Sequence, residues 1–174
     1  MLIMKNNSDM QNFSEQLRSL WSIENRLVDK MPAMIEKANN FGLKKNLSLH
    51  FEETRQHKTA IQLICKQLEI DLKNTDLDKQ LEDILQEGQR SIERKQGVDL
   101  DAAIIRTAQE IEQYEMSLYA EVAETAQAAG YKGIAGRLWL TQEEEKQAEN
   151  KLKYMEGVLL KETAEIGQSI AQYH

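Results

Sequence analysis

Apolar residues recur at steps of three and four along five stretches of the chain, the spacing that places them on one face of an α-helix. The stretches cover about residues 9–39, 43–68, 76–97, 100–129 and 132–162. One proline and eight glycines are too few turn residues for a fold of many strands. The pattern therefore predicts an all-α protein with four long helices. The shorter third segment is predicted to cross over, on the outside, between two helical hairpins.

The limits of these helices follow from residues that favour turns and caps. Residues 1–8 are predicted to be a disordered lead, residues 9–162 a single four-helix domain, and residues 163–174 a weakly amphipathic tail. The stretch Asn39–Gly42 is expected to end the first helix, and Gly130 to end the fourth. Asp76 is expected to start the third helix, and Asp99 or Asp101 the fourth. Pro32 lies inside the first helical pattern, so we expect a kink near Lys30 and Met31.

A glutamate interrupts the apolar face of each long helix near its middle. These residues are Glu24, Glu53, Glu115 and Glu145. A carboxylate in a core is costly unless it is protonated, paired or bound to a metal ion. A single one is more often an edge residue whose head reaches solvent. Because four recur at matching heights, we favour a shared site in the core.

Two further residues strengthen this pattern. His57 follows Glu53 by four positions, and Glu149 follows Glu145 by four. The two halves of the chain therefore resemble a duplicated helical hairpin. Carboxylate oxygens with one or two imidazoles suit iron or manganese, with zinc as a further alternative. We expect two ions per chain, bound by Glu24, Glu53, His57, Glu115, Glu145 and Glu149.

Two residues at the edge of this set are assigned with less support. Glu112 lies one turn before Glu115, and either binds metal or lies at the helix edge. His50 lies one turn before Glu53, where a residue that supports a ligand is expected more than a ligand itself. In the acidic run of residues 143–145, only Glu145 points inward by its phase. No catalytic residue is identified.

Composition excludes several classes of protein. The net charge of −7 and the absence of a basic face disfavour nucleic-acid binding. Neither a membrane-spanning run of apolar residues nor a signal peptide is seen in the sequence, so a cytoplasmic protein is expected. The single cysteine, Cys65, excludes an internal disulfide framework and a cysteine-based zinc site. An oxygen carrier of the haemerythrin type is also excluded, because it needs more histidines than the three present.

Three segments resemble the YciE/YciF-type ferritin-like proteins of bacteria. The segments are HFEETRQHKTAI (50–61), AQEIEQYEMSLYAEVAETAQAAGY (108–131) and TQEEEKQAENKL (141–152). The resemblance covers about residues 10–160. It implies a ferritin-like four-helix bundle, a homodimer, a dinuclear metal centre and a role in stress, in a family without an established activity.

The chain departs from the usual di-iron pattern of Glu-x-x-His, since residue 56 is Gln and residue 148 is Ala. This puts fast oxidation of iron in more doubt than metal binding. The leading hypothesis is a di-iron or di-manganese protein that reacts with oxygen or peroxide, with electrons from an external donor. The alternatives are iron storage and a helical interaction protein without a functional metal site.

Overall fold

The computed structural model describes residues 7–171, and over this range all of the regular secondary structure is α-helical, without a strand. Its helices are α1 (Asn7–Lys37), α2 (Phe41–Gln67), α3 (Lys79–Glu93), α4 (Gly97–Ala128) and α5 (Lys132–Ala171). The predicted all-α class is confirmed. Among the described residues, no helix has an apolar stretch that could cross a membrane.

The four long helices contact one another in a closed ring. α1 packs against α2 and α4, and α5 packs against α4 and α2, while α3 packs on α4. One apolar cluster lies around Leu20 and Leu138, and a second lies around Leu43 and Leu152. A third, around Ile111, includes residues of α3. Full burial of a large aliphatic side chain contributes roughly 1.5–3 kcal/mol, so these clusters supply most of the stability.

The turn between α1 and α2 is fixed by a carboxylate of α4. Asp101 accepts hydrogen bonds from the backbone N–H groups of Asn39 (2.7 Å) and Asn40 (2.9 Å). The Asn40 side chain in turn accepts from the N–H of Leu43 and caps α2. Asp99 or Asp101 was expected to start α4, but α4 begins at Gly97. The reason is that the Asp101 carboxylate binds another helix terminus instead of its own.

Other helix ends agree in part with the sequence. Gly130, with φ of 86°, follows the end of α4 as predicted, in the left-handed conformation that glycine adopts without strain. α3 is capped by Asp78, whereas Asp76 was expected to start it. α1 begins at Asn7, inside the predicted lead. α5 continues to Ala171, through much of the predicted tail. Residues 1–6 and 172–174 lie outside the described residues.

α1 remains helical through Pro32. Proline has no N–H, so the carbonyl of Val28, one turn earlier, lacks its helical hydrogen bond. Pro32 itself is exposed. α1 is therefore weakened locally at the turn that carries Met31.

Candidate metal centre

Near the middle of each long helix the apolar core gives way to buried ionisable residues. They are contributed by α1 (Glu24), α2 (His50 and His57), α4 (Glu112 and Glu115) and α5 (Glu145). All are 6% exposed or less. They lie between two of the apolar clusters, which flank them along each of the four helices. This placement removes the residues from solvent, and so makes their charges interact strongly.

The first group consists of Glu24, His57 and Glu145. Nδ1 of His57 lies 2.7 Å from Oε1 of Glu145 and 3.7 Å from Oε1 of Glu24. Nδ1 is buried without a satisfied hydrogen bond, although Oε1 of Glu145 lies this close to it. One ligand atom of each residue lies within 4.8 Å of the others, which is close enough to share one metal ion.

The second group consists of His50, Glu112 and the same Glu145. Nε2 of His50 lies 3.0 Å from Oε1 of Glu112 and 3.6 Å from Oε2 of Glu145. Glu145 therefore presents one oxygen to His57 and the other to His50. A carboxylate shared in this way by two groups can bridge a pair of metal ions.

Glu115 completes the set of buried carboxylates. Its Oε1 is buried without a hydrogen-bond partner. Burial, together with the nearby charges of Glu145, Glu24 and Glu112, raises the pKa of Glu115 well above its usual value. It also lines a cavity of about 10 Å³ together with His50 and Glu112. A space of this size holds about one water molecule.

Each histidine has a second carboxylate on its outer nitrogen. Nε2 of His57 lies 2.9 Å from Oε2 of Glu144, and Nδ1 of His50 lies 3.1 Å from Oε2 of Glu53. Both carboxylates are more than a third exposed. Metal-binding histidines commonly donate their other N–H to such a carboxylate, which fixes the orientation of the ring. Glu53 therefore contacts the outer nitrogen of His50 in the second group, just as Glu144 contacts the outer nitrogen of His57 in the first.

Tyr119 connects the first group to the adjacent apolar cluster. Its hydroxyl donates a short hydrogen bond to Oε1 of Glu24, and its ring meets that of His57 edge to face at 6.3 Å. The side chain is fully buried. Burial and the charge of Glu24 raise the pKa of Tyr119 well above its usual value, so the hydroxyl remains a donor.

The pKa values distinguish buried groups that keep a proton near neutral pH from one carboxylate that stays ionised. Burial raises the pKa of Glu24 to about 8 and that of Glu112 to about 7, although nearby histidines oppose the shift. Burial also disfavours the charged form of His57, but Glu145 and Glu24 outweigh it and raise its pKa to about 9. For Glu145, burial is outweighed by the two histidines, and its pKa is lowered. Glu145 is thus the carboxylate that stays ionised.

The donor set fits a pair of divalent metal ions. Buried oxygens of Glu24, Glu112, Glu115 and Glu145 lack hydrogen-bond partners, as does Nδ1 of His57. Unpaired buried polar atoms are rare in folded proteins and call for an explanation. Four ionised carboxylates would be neutralised by two divalent cations. Four carboxylates and two imidazoles are also the ligands of di-iron and di-manganese sites in helical bundles.

The structure brings together most of the residues predicted from the sequence. Glu24, His57, Glu115 and Glu145 meet in the core, and Glu112 and His50, which were assigned with less support, meet there too. The side chain of Glu53 is 38% exposed, on the outer side of His50.

Glu149, another predicted ligand, is engaged elsewhere. It forms an ion pair with Lys153 (2.8 Å) and accepts a hydrogen bond from Gln113 (2.8 Å), and its pKa is lowered chiefly by Lys153. Neither metal-sized group includes it. Lys153, one helical turn after Glu149, was the sequence signal for this pairing.

Glu144 was not identified from the sequence. It belongs to an acidic run that is typical of a solvated surface, and its side chain is 36% exposed. Its contact with His57 depends on how α2 and α5 pack. No local pattern in the sequence encodes this contact.

Known proteins resemble this chain over most of its length. The sequence model of a family described as "Domain of unknown function (DUF892)" matches residues 8–165. Protein YciF of Escherichia coli (strain K12) is 29% identical over 142 residues, which cover 80% of this chain and 85% of that protein.

Solved structures show the same fold. YcfI, described as a putative structural protein from Rhodopseudomonas palustris, has a TM-score of 0.79 and 26% identity, over 86% of this chain and 96% of its own. The E. coli stress protein YciF has a TM-score of 0.78 and 26% identity, over 91% of this chain and 99% of its own. A protein from Xanthomonas campestris at 16% identity supports the fold alone, with a TM-score of 0.72 over 92% of this chain and 99% of its own.

Proposed function

This chain belongs to the DUF892 family, as its resemblance to YciE/YciF-type proteins indicated, and we propose that it is a ferritin-like four-helix bundle with two divalent metal ions bound in its core. The observation that carries the proposal is the sharing of Glu145 between two groups of buried ligand atoms. Glu24 and His57 would hold one ion, and His50 and Glu112 the other. Glu115 lies beside both, and α3 is the crossover between the hairpins.

Iron or manganese, when bound, would supply one-electron redox chemistry toward oxygen or peroxide. The chain's own residues have separate tasks. Glu53 and Glu144 hold the outer nitrogens of the two histidines, and so fix which nitrogen faces the core. Tyr119 donates to Glu24 and restricts that carboxylate. The apolar clusters on both sides exclude bulk water.

Metal analysis tests this proposal directly. Protein purified without chelator and reconstituted with ferrous or manganous ion should hold about two ions per chain. Glu145→Gln, which keeps the shape but removes the shared charge, should lose most of the metal. Glu149→Gln is the matched control on the same helix and should keep it, because Glu149 pairs with Lys153. Trace metal in the wild type, or equal loss in both variants, would contradict the proposal.

A non-enzymatic role is favoured by a different observation. The buried carboxylates already face two histidines, which neutralise part of their charge without metal. One relative, YcfI, is described as a putative structural protein. If this chain has such a role, adding peroxide to the metal-reconstituted protein should not change the protein's absorption spectrum. A spectral change that Glu145→Gln abolishes would exclude the structural role.

We also propose that the protein is a cytoplasmic homodimer that receives electrons from a separate donor. The described surface exposes large apolar side chains on α2 and α5, among them Leu49, Leu63 and Leu140. Light scattering should give a mass of about two chains, since C₂ dimers are the commonest oligomers. A cage of many subunits would instead favour iron storage.

A further inference from the structure

A groove of about 340 Å³ opens on the surface between α1, α3 and α4. Its floor is apolar, with Leu27 and Met31 of α1 and Ile111 of α4, and its rim is polar, with Lys30 and Gln89. α1 and α3 are joined here by an ion pair, in which Arg26 Nη2 lies 2.8 Å from Glu82 Oε2. The groove is large enough to admit small molecules freely.

The floor of this groove is also the outer wall of the cavity beside the candidate metal centre. Four side chains line both spaces: Leu27, Met31, Met34 and Ile111. On its inner side the cavity is lined by His50, Glu112 and Glu115. A single layer of apolar side chains therefore separates the groove from three of the buried ionisable residues.

The separating layer is adaptable at its two methionines. Methionine is unbranched and changes rotamer easily. Met31 is held only by packing and by a weak contact from the hydroxyl of Thr54 to its sulfur at 3.5 Å. Both methionines flank Pro32, where α1 lacks a backbone hydrogen bond. Small rearrangements at this turn would join the groove to the cavity.

The wall selects against charge. Moving an ion through an apolar layer costs many kcal/mol, whereas the free-energy cost for a neutral molecule of the size of water is small. The opposite edge of the helix ring differs, because α2 and α5 carry the half-exposed carboxylates Glu53 and Glu144 there. The two edges therefore favour the passage of different molecules. The edge with the carboxylates favours cations, and the apolar edge favours neutral molecules.

We propose that the groove between α1, α3 and α4 is the entrance through which small neutral oxidants, dioxygen or hydrogen peroxide, reach the buried centre, with Met31 and Met34 as the residues that limit their size. The proposal rests on the proposed function for what lies at the inner end. The route itself is a property of the polypeptide, and so can be tested without metal.

The test is methyl NMR of the full chain under dioxygen pressure after metal has been removed by chelation. Dissolved dioxygen is paramagnetic, and broadens the methyl signals that it approaches. With labelled Met and Ile methyl groups, Met31 and Ile111 lie on the route. Ile104 and Ile105, which are also buried but belong to a different cluster, are the reference. Severalfold stronger broadening at Met31 and Ile111 is expected, and equal broadening at all four would overturn the route.

Variants that fill the groove give the second measurement. Met34→Trp should reduce the broadening at Met31 and Ile111, whereas Leu77→Trp, which adds the same ring at an exposed position outside the groove, should not. Gln89→Trp fills the groove from its exposed rim, and serves if Met34→Trp does not fold. Unchanged broadening in a folded groove-filling variant would overturn the proposal.

The same variants separate this proposal from metal binding. In reconstituted protein, Met34→Trp and Leu77→Trp should bind the same amount of metal. Met34→Trp should nevertheless react with peroxide severalfold more slowly than Leu77→Trp. Loss of broadening in metal-free Met34→Trp, together with wild-type protein that takes up no metal on reconstitution, would support the route and contradict the metal centre. Metal binding with an unchanged reaction rate would contradict the route alone.

Discussion

Glu145 has the largest influence of any single side chain in the candidate centre. Its Oε1 lies near His57 and its Oε2 near His50, so both groups depend on one carboxylate. Burial acts against its charge, yet the two histidines lower its pKa. Substitutions at Glu24 or Glu112 should therefore affect one group each, whereas a substitution at Glu145 should affect both.

This difference predicts an ordered set of metal stoichiometries. Glu24→Gln and Glu112→Gln should each reduce the content to about one ion per chain, and Glu145→Gln should reduce it to near zero. Elemental analysis after reconstitution, with folding checked by circular dichroism, measures the set. Similar losses in Glu24→Gln and Glu145→Gln would show that the two positions are not independent.

The buried histidine and carboxyl groups also predict how stability depends on pH when metal has been removed. Between pH 6.5 and about 9, folded His57 keeps a proton that the unfolded chain has lost. Between pH 4.5 and about 8, folded Glu24 does the same. The folded state binds more protons, so its stability falls as the pH rises, by an amount on the order of a few kcal/mol.

Thermal melting of chelated protein from pH 6 to pH 9 measures this fall. Tm should decrease across the range, and His57→Gln should flatten the decrease. A constant or rising Tm would contradict the assignment. Metal should reverse the trend, because metal ions bind the deprotonated ligands and so gain affinity as the pH rises.

Periodicity locates the candidate site but does not separate neighbouring positions within it. On α2, steps of three and four permit either Glu53 or Thr54 between His50 and His57, and the structure buries Thr54. On α4 the buried face is wide enough to include both Glu112 and Glu115. The rotation of each helix about its axis decides these cases, and it depends on packing between helices that the local sequence does not record.

At the scale of the helices, α3 packs closely on α4 at a glycine, Gly88. A Cβ atom at Gly88 would lie 2.7 Å from Oγ1 of Thr107 and would overlap its methyl group. Thr107 is buried, and its hydroxyl donates to the carbonyl of Ala103. Its side chain therefore has little freedom to move away.

Gly88→Ala should lower the free energy of unfolding by about 1–3 kcal/mol, the usual cost of overpacking. Gly136→Ala is the control, because that glycine is exposed on α5 with no atom near its missing Cβ. The control should raise stability by about 0.5–1 kcal/mol, since alanine favours a helix over glycine. Chemical denaturation measures both, and equal effects would contradict the close contact.

The helices themselves were well predicted from the sequence, and their ends less so. Apolar spacing located all five, and Gly130 ended α4 as expected. The start of α4 was missed because Asp101, a good capping residue by type, binds the backbone of Asn39 and Asn40 instead. A cap is a local signal, whereas this contact joins residues far apart in sequence.

For the protein as a whole, the contacts between His50, His57 and the buried carboxylates have a consequence for its maturation. These pairs give the core its own countercharges, so we expect the polypeptide to fold without metal. This differs from zinc fingers, which are unfolded without metal. Chelation should leave the helical circular dichroism signal and a cooperative melt intact, and added metal should rebind fully. A polypeptide that folds without metal would be able to take up the two proposed ions after its synthesis is complete.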